Sequence, residues 1–412
     1  MVDLREVEDV AGIPRPDRPA FLLASSARFG YGHVARSLKV AGALVRRAPV
    51  IAYVVSPLPS FESDGHDPHV QRIGLPPFAL ASTAAPRRWP IVDVVSTLPG
   101  RSASELTLHH ARLLAALVNR LKPVGVVLDH FPFFLEEAFY DRALAALHEV
   151  SPRALVCAGF RGVASRTYDR AELARLQALL DRHADLVLVY TDPDEARRVF
   201  RRHPFLAPFR SRMRFVGYVC PARSRARRRR GRVLATFGSG VDAATTIDLV
   251  CEAYAIFRRR HPRHTLEVVT GGRLTDSLFA KLVHQHGGER GIRIVRFVPG
   301  LGRRMGRYAL VVAMGGYNTL TELYQSGTRS IVLPRAYPGN DEQGVLARRF
   351  RTLGAVDHVV AAARCRPSHL ARLMDETLAR PPATRRPLDT RGAEQAAAVI
   401  VTELGRRRLL PA

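Results

Sequence analysis

Lysine is almost missing from this chain: Lys39, Lys122 and Lys281 stand against 60 arginines. Cysteine is scarce as well, with only Cys157, Cys220, Cys251 and Cys365 in 412 residues. No CxxC pair or Cys/His cluster occurs, which excludes a zinc-ribbon type of site and a disulfide framework. Three of the four cysteines sit among apolar or small neighbours and read as buried free thiols. No apolar run approaches the ~18–20 residues of a membrane span. The first 18 residues are charged and proline-containing, without the apolar stretch of a signal peptide. A cytoplasmic protein is the expectation. No short period repeats, so collagen-like and coiled-coil arrays are excluded.

Acidic residues are the last shortage: 37 against 63 basic ones, a formal net charge of +26. Such a field attracts nucleic acid, anionic membranes and anionic substrates. Its arginine bias reads partly as the codon bias of a GC-rich genome. It is also spread over what look like solvated helix faces (Arg46, Arg47, Arg258, Arg259, Arg260). The densest run, PARSRARRRRGR at 221–232, has no interleaved aromatics and reads as an interdomain linker rather than a nucleic-acid arm. No nucleic-acid partner is expected. Peripheral contact with an anionic membrane stays open, as does the oligomeric state. What the chain does have is ordinary globular material, 47% hydrophobic and 24% charged. At roughly 100–200 residues per domain, that suits about two to four domains.

Short apolar runs alternate with amphipathic stretches of helical length. Strands are expected at 19–24, 50–55, 124–128, 154–158 and 186–190, and helices at 33–47, 104–121 and 135–148. The segment 56–99, rich in Pro, Ser and Gly, reads as one or two long loops with short strands. After the basic run the rhythm restarts. Strands at 233–237, 266–270, 292–297, 309–313, 330–333 and 355–360 alternate with helices at 242–260, 274–286, 299–307, 317–326, 341–353 and 367–379. A last helix is expected at 392–404. The fold class is α/β, with two doubly wound Rossmann-like domains facing a cleft. Their ranges are 19–217, a linker at 218–231 and 232–380, with a tail and helix at 381–412 that can pack back on the N-terminal domain.

Three glycine-rich turns directly follow predicted strands in the second half: Gly238-Ser239-Gly240, Gly271-Gly272 and Gly315-Gly316. Glycine permits positive φ and close backbone approach, and a following helix N-terminus favours an anion. One such turn is only what a tight strand–helix connection needs; three on one sheet edge point to a ligand. No GxxxxGKS/T or GxGxxG fingerprint occurs, so a P-loop and a nicotinamide or flavin site are disfavoured. Glu322 lies about one to two turns into the helix after Gly315, where a carboxylate can accept from both hydroxyls of a ribose. It also fits an ordinary surface position of an amphipathic helix. Asp341, Glu342 and Gln343 open the next helix, either as cap and first-turn acid or as sugar-hydroxyl contacts.

GGYNTLTEL at 315–323, then a strand, then LPRAYPGNDEQ at 333–343 resembles the nucleotide-sugar site of GT-B glycosyltransferases. The likeness is to family 28, whose best-known member makes lipid II, and to a bacterial group of predicted glycosyltransferases with the motif MGGYNT. Gly30-Tyr31-Gly32-His33 takes the place of that family's glycine-rich loop ending in His, as an acceptor-side loop. The resemblance covers both domains in order and is specific over 313–343. It implies a UDP-sugar or dTDP-sugar donor, inverting single displacement onto a small-molecule acceptor, and no cofactor or metal. It further implies that Gly315, Gly316, Asn318 and Thr319 face the diphosphate and that Glu322 takes the ribose. The backbone around Phe297 and Val298 meets the base, Asp341, Glu342 and Gln343 address the sugar, and Gly238, Ser239 and Gly240 line the cleft. The family loop is usually GGTxGH, whereas SSARFGYGH stands here with fewer glycines, which favours a soluble acceptor over a polyprenyl diphosphate.

A transferase needs a base for the acceptor hydroxyl. His33, at a strand–helix turn, is the first candidate, with phosphate donation or helix packing as its alternatives. Asp129, at the end of the strand at 124–128, is the second, with turn capping as its alternative. Two rival readings remain: a nucleotide-sugar epimerase or hydrolase of the same fold, and a non-catalytic basic binding protein.

Overall fold

The computed structural model describes residues 2–25, 30–57, 67–82, 92–133, 137–164, 167–221, 231–335, 341–381 and 384–411. The chain divides into two compact units. The first comprises Met1–Ala79, Val94–Val219 and Leu388–Ala412; the second comprises Leu80–Asp93 and Cys220–Pro387. Most of the basic run lies outside the described residues.

The first unit begins with β1 (Val2–Asp3), β2 (Ala20–Ser25), α1 (Gly32–Val45), β3 (Ile51–Ser56) and β4 (Val70–Gly74). A two-stranded pair, β5 (Phe78–Ser82) and β6 (Val92–Ser96), precedes α2 (Ala103–Leu121), β7 (Gly125–Asp129), α3 (Glu137–Val150) and β8 (Leu155–Phe160). Then come α4 (Arg170–His183), β9 (Leu186–Val189), α5 (Ala196–Arg202) and β10 (Met213–Phe215). The main sheet runs β1-β4-β3-β2-β7-β8-β9-β10, and every neighbouring pair is parallel. Its central strands are buried from end to end, as a parallel sheet covered on both faces requires. Capping boxes open α2 (Ser102 with Glu105) and α4 (Asp169 with Glu172).

The second unit contains β11 (Arg232–Thr236), α6 (Ala244–Arg260), β12 (Thr265–Val269), α7 (Asp276–His286), β13 (Ile292–Val295) and α8 (Leu301–Arg304). It continues with β14 (Leu310–Ala313), α9 (Tyr317–Ser326), β15 (Arg329–Val332), α10 (Glu342–Thr352), β16 (His358–Val359) and α11 (Pro367–Ala379). Its sheet, β13-β12-β11-β14-β15-β16, is also parallel throughout. The last helix, α12 (Gly392–Arg406), returns to the first unit and packs along α1.

Each sheet has one place where consecutive strands depart in opposite directions. In the first it lies between β2 and β7, in the second between β11 and β14. Ligands of doubly wound sheets bind outside the carboxyl ends of the strands at such points.

Several expectations need correction. A helix absent from the sequence-based expectations occupies 170–183, although its Asp169–Glu172 box and Leu173, Leu176, Leu179 and Leu180 carry the signal. The strand expected at 355–360 shrinks to His358–Val359 at the sheet edge, where one neighbour supplies all its pairing. β13 stops at Val295, so Phe297 lies past the strand and is 44% exposed. Of the cysteines only Cys157 and Cys251 are buried; Cys220 and Cys365 are partly exposed, and all four are free.

Candidate functional site

At the first switch point, β2 and β7 pair in register with Ser25 level with Asp129. α1 begins seven positions after β2 ends, which places His33 and Arg36 in its first turns. The two candidate bases, 96 residues apart in sequence, meet there. His33 Nδ1 lies 2.6 Å from Asp129 Oδ2. Since an ionised carboxylate only accepts, Nδ1 carries the proton and Nε2 is the basic nitrogen. Arg36, 2% exposed, donates from one guanidinium nitrogen to both Asp129 oxygens, at 2.8 and 2.6 Å, and its head lies over the Tyr190 ring.

Two further features let this cluster form. A Cβ on Gly159 would stand 2.9 Å from Asp129 Oδ1, so glycine there makes room for the carboxylate. The turn after β7 places His130 in the left-handed region, its N–H donating to the Gly159 carbonyl at 2.9 Å, and its ring lies 5.5 Å from that of His33. Ser25 is buried on the same sheet face as Asp129, and its hydroxyl has no hydrogen-bond partner among the described residues.

The charges decide the protonation states. Burial would raise the Asp129 carboxyl, but Arg36 and His33 outweigh it and hold it well below the usual carboxylate range. Burial pushes the His33 imidazole down to about 4; Arg161 and Arg36 act in the same direction, and Asp129 opposes them. His130 is lowered by burial, then by Arg161 and His33. At neutral pH the cluster holds a neutral, oriented imidazole against a fixed carboxylate, a proton acceptor with its orienting group. Gly30, Tyr31 and Gly32 lead into α1, and Tyr31 occupies the N-cap without a side-chain cap bond. Phe29 lies outside the described residues.

In the second unit the three glycine turns do different things. Gly240 (φ +83°) and Gly271 (φ +101°) pack backbone to backbone. A Cβ on Gly240 would lie 2.3 Å from the Thr270 carbonyl oxygen, and one on Gly271 2.3 Å from the Ser239 carbonyl carbon. The Arg273 N–H donates to the Ser239 carbonyl at 2.9 Å. These two glycines therefore serve the contact between neighbouring turns. Gly238, by contrast, is exposed at φ +63° with open space above it.

The turn after β14 has Gly316 at the N-cap of α9, with no side-chain cap. Gly315 allows close packing: its Cβ would fall 3.1 Å from the Gln343 carbonyl oxygen and 3.3 Å from Pro334 Cβ. Asn318, Thr319 and Glu322 lie partly exposed on α9. Glu322 leans on α8, where a Cβ on Gly302 would be 2.6 Å from its carboxyl carbon. Glu342 is buried, whereas Asp341 pairs with Arg348 at 2.5 Å near the surface. Gln343 Oε1 accepts from the Arg335 N–H at 2.9 Å and so braces its own loop. Phe297 and Val298 follow β13 at the same carboxyl edge. Sequence reasoning did not find Arg36, Gly159, Gly302 or the Asp242–Arg335 ion pair. Only strand register and helix packing bring those residues to their partners. Among the described residues no group of three or more His, Cys, Asp or Glu could hold a metal ion, and no helix is long and apolar enough to cross a membrane.

Two parallel doubly wound units in one chain make the GT-B fold. Residues 236–402 match the glycosyltransferase family 28 C-terminal domain, a stretch that covers most of the second unit and runs on into α12. Solved structures agree on the fold. The glycotransferase of kitacinnamycin is 16% identical with a TM-score of 0.54, over 97% of this chain and 100% of that one. MurG from Acinetobacter baumannii is 13% identical with a TM-score of 0.50, over 95% and 99%. The UDP-GlcNAc 2-epimerase from Neisseria meningitidis, bound to UDP-GlcNAc, is 11% identical with a TM-score of 0.56, over 94% and 100%. At these identities the likeness is one of fold. No curated protein matches the chain.

Proposed function

We propose that the protein is an inverting glycosyltransferase that moves a sugar from a UDP-sugar or dTDP-sugar to the hydroxyl of a soluble small-molecule acceptor. The observation that carries this is the His33–Asp129 hydrogen bond at the first switch point, in a chain whose residues 236–402 match the family 28 C-terminal domain. His33 Nε2 accepts the proton of the acceptor hydroxyl as its oxygen attacks the anomeric carbon. Asp129 holds the ring in the required tautomer and stabilises the imidazolium that forms; Arg36 holds Asp129. The bond from the anomeric carbon to the β-phosphate oxygen breaks, and its electron pair leaves with the nucleoside diphosphate. Gly315, Gly316, Asn318 and Thr319 face that diphosphate, where the dipole of α9 favours the developing charge. Glu322 accepts from the ribose hydroxyls, Phe297 and Val298 meet the base, and the helix start at Asp341, Glu342 and Gln343 addresses the sugar. The reading needs no cofactor.

The test is titration calorimetry against UDP, dTDP, GDP and their common sugars, followed by product analysis with candidate acceptors. Saturable binding of one nucleoside diphosphate, weakened in Glu322→Ala about tenfold or more, supports the reading; a charge-assisted hydrogen bond is worth about 1.5–3 kcal/mol. Equal affinity in that variant removes Glu322 from the site. A second reading is supported by the epimerases among the fold's relatives. An epimerase or hydrolase would convert the donor, or release the nucleoside diphosphate, with no acceptor present.

A further inference from the structure

The second switch point holds a buried charge that the donor-site reading leaves unassigned. β14 lies between β11 and β15, and Thr236, Ala313 and Val332 stand level at the carboxyl ends of the three strands. Asp242 follows β11 and Arg335 follows β15. Their side chains nonetheless join in an ion pair, with Asp242 1% and Arg335 18% exposed. The pair therefore spans the strand whose turn, Met314–Gly316, opens α9. The backbone that carries Arg335 is fixed as well: its main-chain N–H donates to Gln343 Oε1 at 2.9 Å, and the neighbouring Pro334 packs where Gly315 leaves room.

A buried ion pair is a poor strut. Its desolvation offsets most of the attraction, and two apolar side chains would tie the loops as well. What it does provide is a guanidinium fixed in place before any ligand arrives. Arginine has five N–H donors in a planar fork, enough to keep its carboxylate partner and also hold phosphate oxygens. We propose that Arg335, positioned by Asp242, binds the donor's diphosphate and takes up the charge of the nucleoside diphosphate as it leaves. The inference rests on the donor-site reading above and assigns that site its cationic residue.

The test compares the wild-type chain with Arg335→Gln and with the double variant Asp242→Asn/Arg335→Gln. The second removes both charges, so no lone carboxylate is left buried if the single variant fails to fold. Each is titrated with UDP, dTDP and GDP and with the matching nucleosides. The wild type should prefer one diphosphate over its nucleoside. In the folded variants the diphosphate should bind about tenfold or more weakly, the range of a lost charged hydrogen bond, while the nucleoside binds within about twofold of wild type. A variant that keeps wild-type diphosphate affinity, or loses diphosphate and nucleoside in equal proportion, overturns the role of Arg335 and leaves the donor site standing. A wild-type chain that binds no nucleoside diphosphate overturns both.

Discussion

His33 and Asp129 were legible as rival bases because His33 follows a glycine turn at the start of a helix and Asp129 ends an apolar strand. That they form one device was not legible, since only the register of β2 with β7 joins them. Arg36 looks in sequence like any helix-face arginine, yet it is 2% exposed and bonded to both carboxylate oxygens. Replacing His33 by Ala should cut turnover by about 10²–10⁴-fold, the usual worth of a general base, with donor affinity nearly intact. Steady-state kinetics beside calorimetry checks this, and retained turnover would remove His33 from the chemistry. Gly302 gives a subtler test. Ala there would displace the Glu322 carboxylate, a flexible side-chain end. Gly302→Ala should therefore weaken nucleoside diphosphate binding severalfold with little change in melting temperature. An unchanged affinity would show that the position of Glu322 is immaterial.

The glycine turns show what an element-level pattern conveys and what it conceals. All three lie at strand ends on one edge, as read. Their division of labour depends on which turns touch, and that follows from the neighbouring of β11 and β12 in the sheet. Gly240→Ala would drive a Cβ into the fixed Thr270 carbonyl in addition to its positive φ. It should destabilise the chain by more than about 2 kcal/mol in urea denaturation, as backbone strain and overpacking add. Gly238→Ala meets open space and carries only the left-handed backbone cost of about 1 kcal/mol. Equal losses would contradict the packing described. The boundaries of α9 and α11 match the sequence reading to the residue because an N-cap glycine and a first-turn proline mark their starts. α4 is hard to read because its surface-facing residues dominate the pattern, with only Leu176, Leu179 and Leu180 buried.

For the whole molecule, buried neutral histidines set the response to acid. His33 and His203 are both held down to about 4, chiefly by burial. In the unfolded chain each titrates at its ordinary value near 6.5, so below that value the unfolded state binds more protons. Their contribution is complete above pH 6.5 and is lost as pH falls towards 4, by at most about 1.4 kcal/mol per pH unit for each group. Asp129, whose folded carboxyl is lowered, adds a further loss below about pH 4. Denaturation midpoints should therefore drop steadily between pH 6.5 and 4, and less steeply in His203→Gln. A flat profile would mean that these imidazoles are solvated.

The return of α12 to the first unit has a consequence for how the chain is made. The main body of the second unit, Cys220–Pro387, is one uninterrupted stretch, whereas the first is closed by Leu388–Ala412. During synthesis, which proceeds from the N-terminus, the main body of the second unit can finish folding while the unit that began first still waits for α12. Ala396, Ala397, Ile400 and Leu404 on α12 are fully buried, so until they emerge the first unit lacks part of its apolar cover. A nascent chain arrested with Pro387 outside the ribosome and α12 still inside it would thus carry a protease-resistant second unit and a protease-sensitive first one.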